Sequence, residues 1–159
     1  MERFYLTANR EVHKWSKAQH DAVESLNSCQ VSLVCIQAFG GKTTLLCGLV
    51  TTLMEVCTKP ISILLLSCNL RSAKVKIQKI RSMSDARIKT LNSQRIETEY
   101  VRVLSTMHND PRVQHMQVDL ILVDEWEHVS EYCRTLLTFH TCKMLLLRRS
   151  LTQEEGRCQ

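Results

Sequence analysis

The chain alternates between segments with apolar residues at helical spacing and short runs that are apolar throughout. "SKAQHDAVESL" (Ser16 to Leu26) sets Ala18, Ala22, Val23 and Leu26 on one helical face behind Ser16, a residue type that caps helices. "VSLVCIQ" is β-rich and runs into glycines. "TTLLCGLVTTLMEVC" is a long apolar helix that must stop before Pro60. "ISILLLS" reads as a nearly uniform apolar strand, and "LRSAKVKIQKIRSM" returns to helical spacing with a strongly basic face. "YVRVLST" and "QVDLILVDE" are strands, the second ending in acids. "EYCRTLLTFH" is a helix and "CKMLLL" a last strand.

Strands this apolar are usually covered on both faces, and their alternation with helices predicts an α/β fold with a mostly parallel sheet and helices on both sides. In such sheets ligands bind beyond the carboxyl ends of the strands. The 159 residues suit one domain, expected over residues 1–147 with a lead-in at 1–14, followed by a polar, disordered tail at 148–159.

Composition narrows the class only a little. A hydrophobic content of 44% can fill a core, and the longest apolar runs are too short to span a bilayer. The eight cysteines include no Cys-x-x-Cys pair and no finger-like Cys/His spacing, which argues against a structural zinc site. No secretory signal opens the chain, so reduced thiols in a cytoplasmic or nuclear protein are expected. A net charge of +5 is compatible with a nucleic-acid partner without requiring one, so the placement of the charges matters more. Arg71, Lys74, Lys76, Lys79, Arg81, Arg87, Lys89 and Arg95 crowd one region. Such a run either neutralises phosphates or forms a solvated helix face.

The chemistry concentrates at two points. "IQAFGGKTTLL" ends as a phosphate-binding loop does, with Gly41-Lys42-Thr43 between a strand and a helix. Backbone N–H groups of Gly40, Gly41 and the helix start would cradle phosphate. Lys42 would reach the β- and γ-phosphates of ATP, Thr43 would ligate Mg²⁺, and Thr44 would add a hydroxyl. Ile36 stands where the motif opens with glycine, and bulky Phe39 lies inside the loop. A strand–turn–helix with an incidental Gly-Lys-Thr is the alternative. "VDLILVDEWEH" carries an apolar strand to Asp124-Glu125, where Asp124 would hold Mg²⁺ through water and Glu125 would orient or deprotonate an attacking water. Alone, such a pair is more often a solvated turn. The pairing of the two strand ends is what points to a nucleotide. Trp126 would either cover the cleft or pack on a helix.

In this order the motifs resemble superfamily 1 nucleic-acid helicases, especially the Upf-like group, over roughly residues 15 to 150. "SKAQHDAV" looks like the Q motif, which would make Gln19 the reader of the adenine edge. "AFGGKTT" looks like motif I, "ILLLSCN" like motif Ia and "VDEWEHVS" like motif II. The resemblance implies the first RecA-like domain of a two-domain motor acting on single-stranded RNA or DNA. Asn69 would then lie near the strand, and Thr106 in "VLSTMHND" would contact phosphate. The sequence departs from the family at Trp126, where alanine is usual, and at Arg148-Arg149, where Gly-Asp leads to a γ-phosphate-sensing glutamine; Gln153 comes one residue late. The second RecA-like domain needed for unwinding is not in this sequence. Three functions stay open. One is an ATP-hydrolysing helicase-like domain. Another is a catalytically inactive remnant that binds nucleic acid or protein. A small-molecule kinase is the third, opposed by the Gln19 helix and the lack of an arginine-rich lid.

Overall fold

The computed structural model describes residues 21, 24, 25, 28–37 and 41–150. Seven strands form one sheet in the order β1-β7-β6-β2-β5-β4-β3. They are β1 (Val31–Gln37), β2 (Ile61–Ser67), β3 (Lys89–Thr90), β4 (Arg95–Glu97), β5 (Val101–Met107), β6 (Leu120–Val123) and β7 (Lys143–Ser150). The first five in spatial order run parallel; β4 and β3 close the far edge antiparallel. The mostly parallel α/β fold expected from the pattern is therefore the fold observed. The short β3–β4 ribbon has no counterpart in that pattern. It is polar and only two to three residues long, too short for periodicity to register.

Helix α1 (Lys42–Val56) follows β1, α2 (Leu70–Met83) follows β2, and α3 (Glu131–Leu137) precedes β7. Residues 45–54 of α1 are all buried, which explains its lack of a polar face. It leaves the helical path at Cys57, ahead of Pro60, as the sequence required. α2 is amphipathic, with Ala73, Lys76, Ile77 and Ile80 on its buried stripe. Asn69 caps it by accepting from the Ser72 N–H at 2.8 Å.

Side chains alternate across the sheet and build two cores. On one face Ile63 and Leu65 of β2 join Leu122 and Leu145 beneath α1 and α2. On the other, Leu64 and Leu66 join Val123, Leu146 and Cys133 of α3. Coverage is incomplete at the edge strand β1, where Val31 is 51% and Leu33 54% exposed. The expectation that each strand is covered on both faces fails there.

β7 also runs further than expected. Arg148 lies opposite Cys35 and Arg149 opposite Ile36 in the ladder with β1, so residues 148–150 are strand and not tail. Pairing along β1 overrides the polarity that suggested disorder. Residues 151–159 and most of the Ser16–Leu26 helix lie outside the described residues, although 21, 24, 25 and 28 are helical.

Candidate nucleotide site

The site forms where the carboxyl ends of β1, β2 and β6 meet the start of α1. Gly41 lies immediately before α1 with φ 83°, in the left-handed region where glycine costs least. The first-turn N–H groups of a helix have no intrahelical acceptors and face outward. Lys42 and Thr43 occupy that turn. Gln19, Phe39 and Gly40 lie outside the described residues, so the expected adenine contact and the middle of the loop have no structural counterpart here.

Asp124 follows β6 directly. Its N–H donates to the Leu66 carbonyl at 2.8 Å, which continues the β2–β6 pairing by one step and fixes the carboxylate at the sheet's edge. Asp124 is only 3% exposed. Lys42 Nζ lies 3.5 Å from its Oδ1, so the two ends of the expected site do meet in space, with β7 between their strands. Oδ1 also accepts the Glu125 N–H at 2.9 Å. Glu125 has φ 53°, the one positive φ at a non-glycine among the described residues. A side chain pays a steric cost there, and such residues concentrate at functional sites. Desolvation, followed by the neighbouring Glu125 carboxylate, pushes the Cys68 thiol up from its ordinary value.

A residue that sequence reasoning left among the basic-face lysines completes the arrangement. Lys76 of α2 is 3% exposed. Its ammonium donates to Ser67 Oγ at 2.7 Å and lies 3.1 Å from Asp124 Oδ2. Lys79, one turn on, donates to Thr44 Oγ1 at 2.9 Å. Part of the basic helix thus faces inward. A signal was available: Lys76 falls between Ala73 and Ile80 on the apolar stripe, where a solvated lysine does not belong. Arg71, Ser72, Val75 and Lys76 from α2, with Thr43, Asp124 and Glu125, line a cavity of about 180 Å³.

The remaining expected residues separate. Asn69 is exposed and spends its Oδ1 on the helix cap. Thr106 is 1% exposed, and its hydroxyl donates to Asp110 Oδ2 at 2.7 Å, so it is tied up inside the fold. Trp126 packs on α3, with Arg134 4.5 Å from its ring centroid and donating to its carbonyl at 2.7 Å. His108, which sequence reasoning left without a role, lies 2.7 Å from the Asp124 carbonyl through Nε2, and burial lowers its pKa.

The expected Mg²⁺ ligands are Thr43 and Asp124. One carboxylate oxygen of Asp124 pairs with Lys42, which phosphate would draw away, but the other is held by the buried Lys76, which is anchored at a second point on Ser67. This donor set does not fit a resident Mg²⁺. Among the described residues no cluster of three or more His, Cys, Asp or Glu side chains offers another metal site. Nor, among them, is any helix long and apolar enough to cross a membrane.

No family model and no curated protein matches the chain. Solved structures do. The chain is similar to the HK97 bacteriophage large terminase, with TM-score 0.70 at 13% identity over 86% of this chain and 33% of that one. It is also similar to the large terminase ATPase domain of Thermus phage P74-26, with TM-score 0.67 at 8% identity over 91% and 68%. A third likeness is the large terminase of another thermophilic bacteriophage in complex with ATP-γ-S, with TM-score 0.63 at 13% identity over 84% and 38%. This chain therefore spans about a third of the HK97 protein's length.

Proposed function

With the RecA-like P-loop ATPase fold as premise, we propose that this chain is the ATP-binding domain of a nucleic-acid motor. One observation carries the reading: Lys42, at the start of α1, meets Asp124 of a different strand in the pairing expected of an empty triphosphate site. When ATP enters, Lys42 exchanges the carboxylate for phosphate oxygens. The first-turn N–H groups of α1 receive the phosphate chain, and the Thr43 hydroxyl lies beside it. Glu125 would orient a water for attack on the γ-phosphate. The helicase resemblance and the large-terminase likeness support the same ATP-binding core. Single-stranded RNA or DNA is the partner that the helicase motifs favour, and a second RecA-like domain is what unwinding requires.

Binding of a fluorescent ATP analogue tests the reading. Lys42→Ala is expected to weaken it at least about tenfold. Equal binding by the variant rejects a phosphate role for this loop. A second reading is favoured by Lys76 against Asp124: the domain binds ATP but has lost turnover. Steady-state ATPase assays with and without single strands separate the two. A rate abolished by Glu125→Gln establishes turnover, whereas nucleotide binding without any such rate establishes the second reading.

A further inference from the structure

We infer that Lys76 takes the place of the metal ion in this site, so that the triphosphate of a nucleotide binds without Mg²⁺. The inference rests on the nucleotide reading above and adds to it the ionic form of the ligand. In a metal-dependent site the acid at the strand end turns towards the cation, and the cation bridges phosphate oxygens. Here an ammonium stands beside that acid already. Lys76 Nζ is 3.1 Å from Asp124 Oδ2 and 2.7 Å from Ser67 Oγ.

Both anchors are rigid. Ser67 ends β2 and is fully buried, and Asp124 follows the neighbouring strand β6. The lysine reaches them from α2, whose first turn is fixed by the Asn69 cap. A divalent ion at Asp124 would have to share a buried carboxylate with this ammonium, at a distance where like charges repel strongly.

The charges around the cavity suit a bare polyanion. Arg71 and Lys76 line it, and Lys79 sits on Thr44 next door. Lys42 becomes available once phosphate replaces its acid partner. Four cations, Lys42 from α1 and Arg71, Lys76 and Lys79 from α2, thus gather in and beside the cavity, so the positive charge that Mg²⁺ supplies elsewhere is here supplied mostly by α2. Lys76 acts through charge and position, and it lines the same cavity as Thr43.

The test titrates the whole chain with a ribose-labelled fluorescent ATP analogue, once in excess Mg²⁺ and once in EDTA, with inorganic tripolyphosphate as competitor. The wild-type dissociation constant is expected to differ by less than about threefold between the buffers, with tripolyphosphate competing in both. Lys76→Met is expected to lose about tenfold in EDTA and to regain affinity with Mg²⁺. Its nucleotide complex should then bind Mn²⁺ detectably by electron paramagnetic resonance, where the wild-type complex does not. Wild-type binding that collapses in EDTA overturns the inference and leaves the nucleotide reading standing. Absence of binding in both buffers overturns the two together. The wild-type comparison decides the matter even if Lys76→Met does not fold.

Discussion

Removing the charge of Asp124 should destabilise the fold far more than removing Asp124 and Lys76 together. Asp124→Asn leaves the Lys76 ammonium buried, with only Ser67 and a neutral amide as partners and with Lys42 nearby. At 3.1 Å the lost attraction is about 5 kcal/mol in a medium of effective dielectric constant near 20. Desolvation already consumes part of that in the native protein. Stripping one partner from a buried pair typically costs about 3–5 kcal/mol. Taking the lower end, about 3 kcal/mol should lower Tm by roughly 6–12 °C in a domain of this size. Lys76→Met should cost less, about 1–2 kcal/mol, because Asp124 keeps Lys42 and the Glu125 N–H while the methionine fills the lysine's stem volume. In the double variant no buried ammonium remains, so its stability should exceed that of Asp124→Asn alone. Urea denaturation of the four proteins gives the cycle directly. If the two single losses simply add in the double variant, Lys76 and Asp124 are not coupled and the charge argument fails.

Thiol reactivity should divide by position. Burial pushes Cys47 and Cys142 up to about 11, from 9.0. Near pH 8 their thiolate fractions are therefore roughly a hundredfold lower than that of an ordinary thiol. Ellman's reagent should modify exposed Cys29 and Cys35 at once and reach Cys47, Cys133 and Cys142 only on unfolding; mass mapping of early products checks this. Asp110 should give the fold an acid-sensitive limb. Hydrogen bonds from Arg112, and then from the Thr106 hydroxyl, hold its carboxyl well below the ordinary 3.8. A carboxyl depressed in the folded state stabilises above the unfolded value, and that contribution disappears as pH falls through the folded one. Arg112→Ala should therefore narrow the difference in urea midpoint between neutral pH and about pH 3, and an unchanged difference would remove Asp110 from the acid limb. Leu33→Lys should leave Tm within about 2 °C, because this side chain on edge strand β1 is already 54% exposed; a large drop in a melting experiment would show that the face is covered.

The legible part of this fold was whatever repeats with a period. The strands β1, β2, β5, β6 and β7, the helix after the phosphate loop and the parallel arrangement all follow from apolar runs and helical spacing. The motif ends Lys42 and Asp124 were legible as a pair because each follows a strand, and strand ends converge on one edge of a parallel sheet. Less legible were features decided by a partner distant in sequence. Residues 148–150 are polar, yet they are held as strand by the β1 backbone, which no local pattern records. Val31 and Leu33 look like core residues but lie at an edge, and edge position depends on strand order. Thr106 and Asn69 carry the right atoms for phosphate or base contacts, but local bonds to Asp110 and Ser72 consume them.

Lys76 shows how this limit affects function. From the sequence it was one basic residue among eight, and the choice was between a solvated face and a phosphate-binding one. The structure divides that face. The stripe Ala73-Lys76-Ile77-Ile80 turns inward, and Lys76 ends in the site because the strand-end residues Ser67 and Asp124 lie within reach of its stem. Arg81 stays in solvent, as the solvated reading expected. A lysine on an apolar stripe is costly to bury unless an acid waits for it. The acid that meets it is Asp124, the residue on which the nucleotide reading depends. Stability and ligand chemistry are thus coupled through a single carboxylate. A variant at Asp124 perturbs both, whereas Lys42→Ala leaves Asp124 paired with Lys76 and the Glu125 N–H, so it should weaken nucleotide binding while lowering the urea midpoint no more than Lys76→Met does.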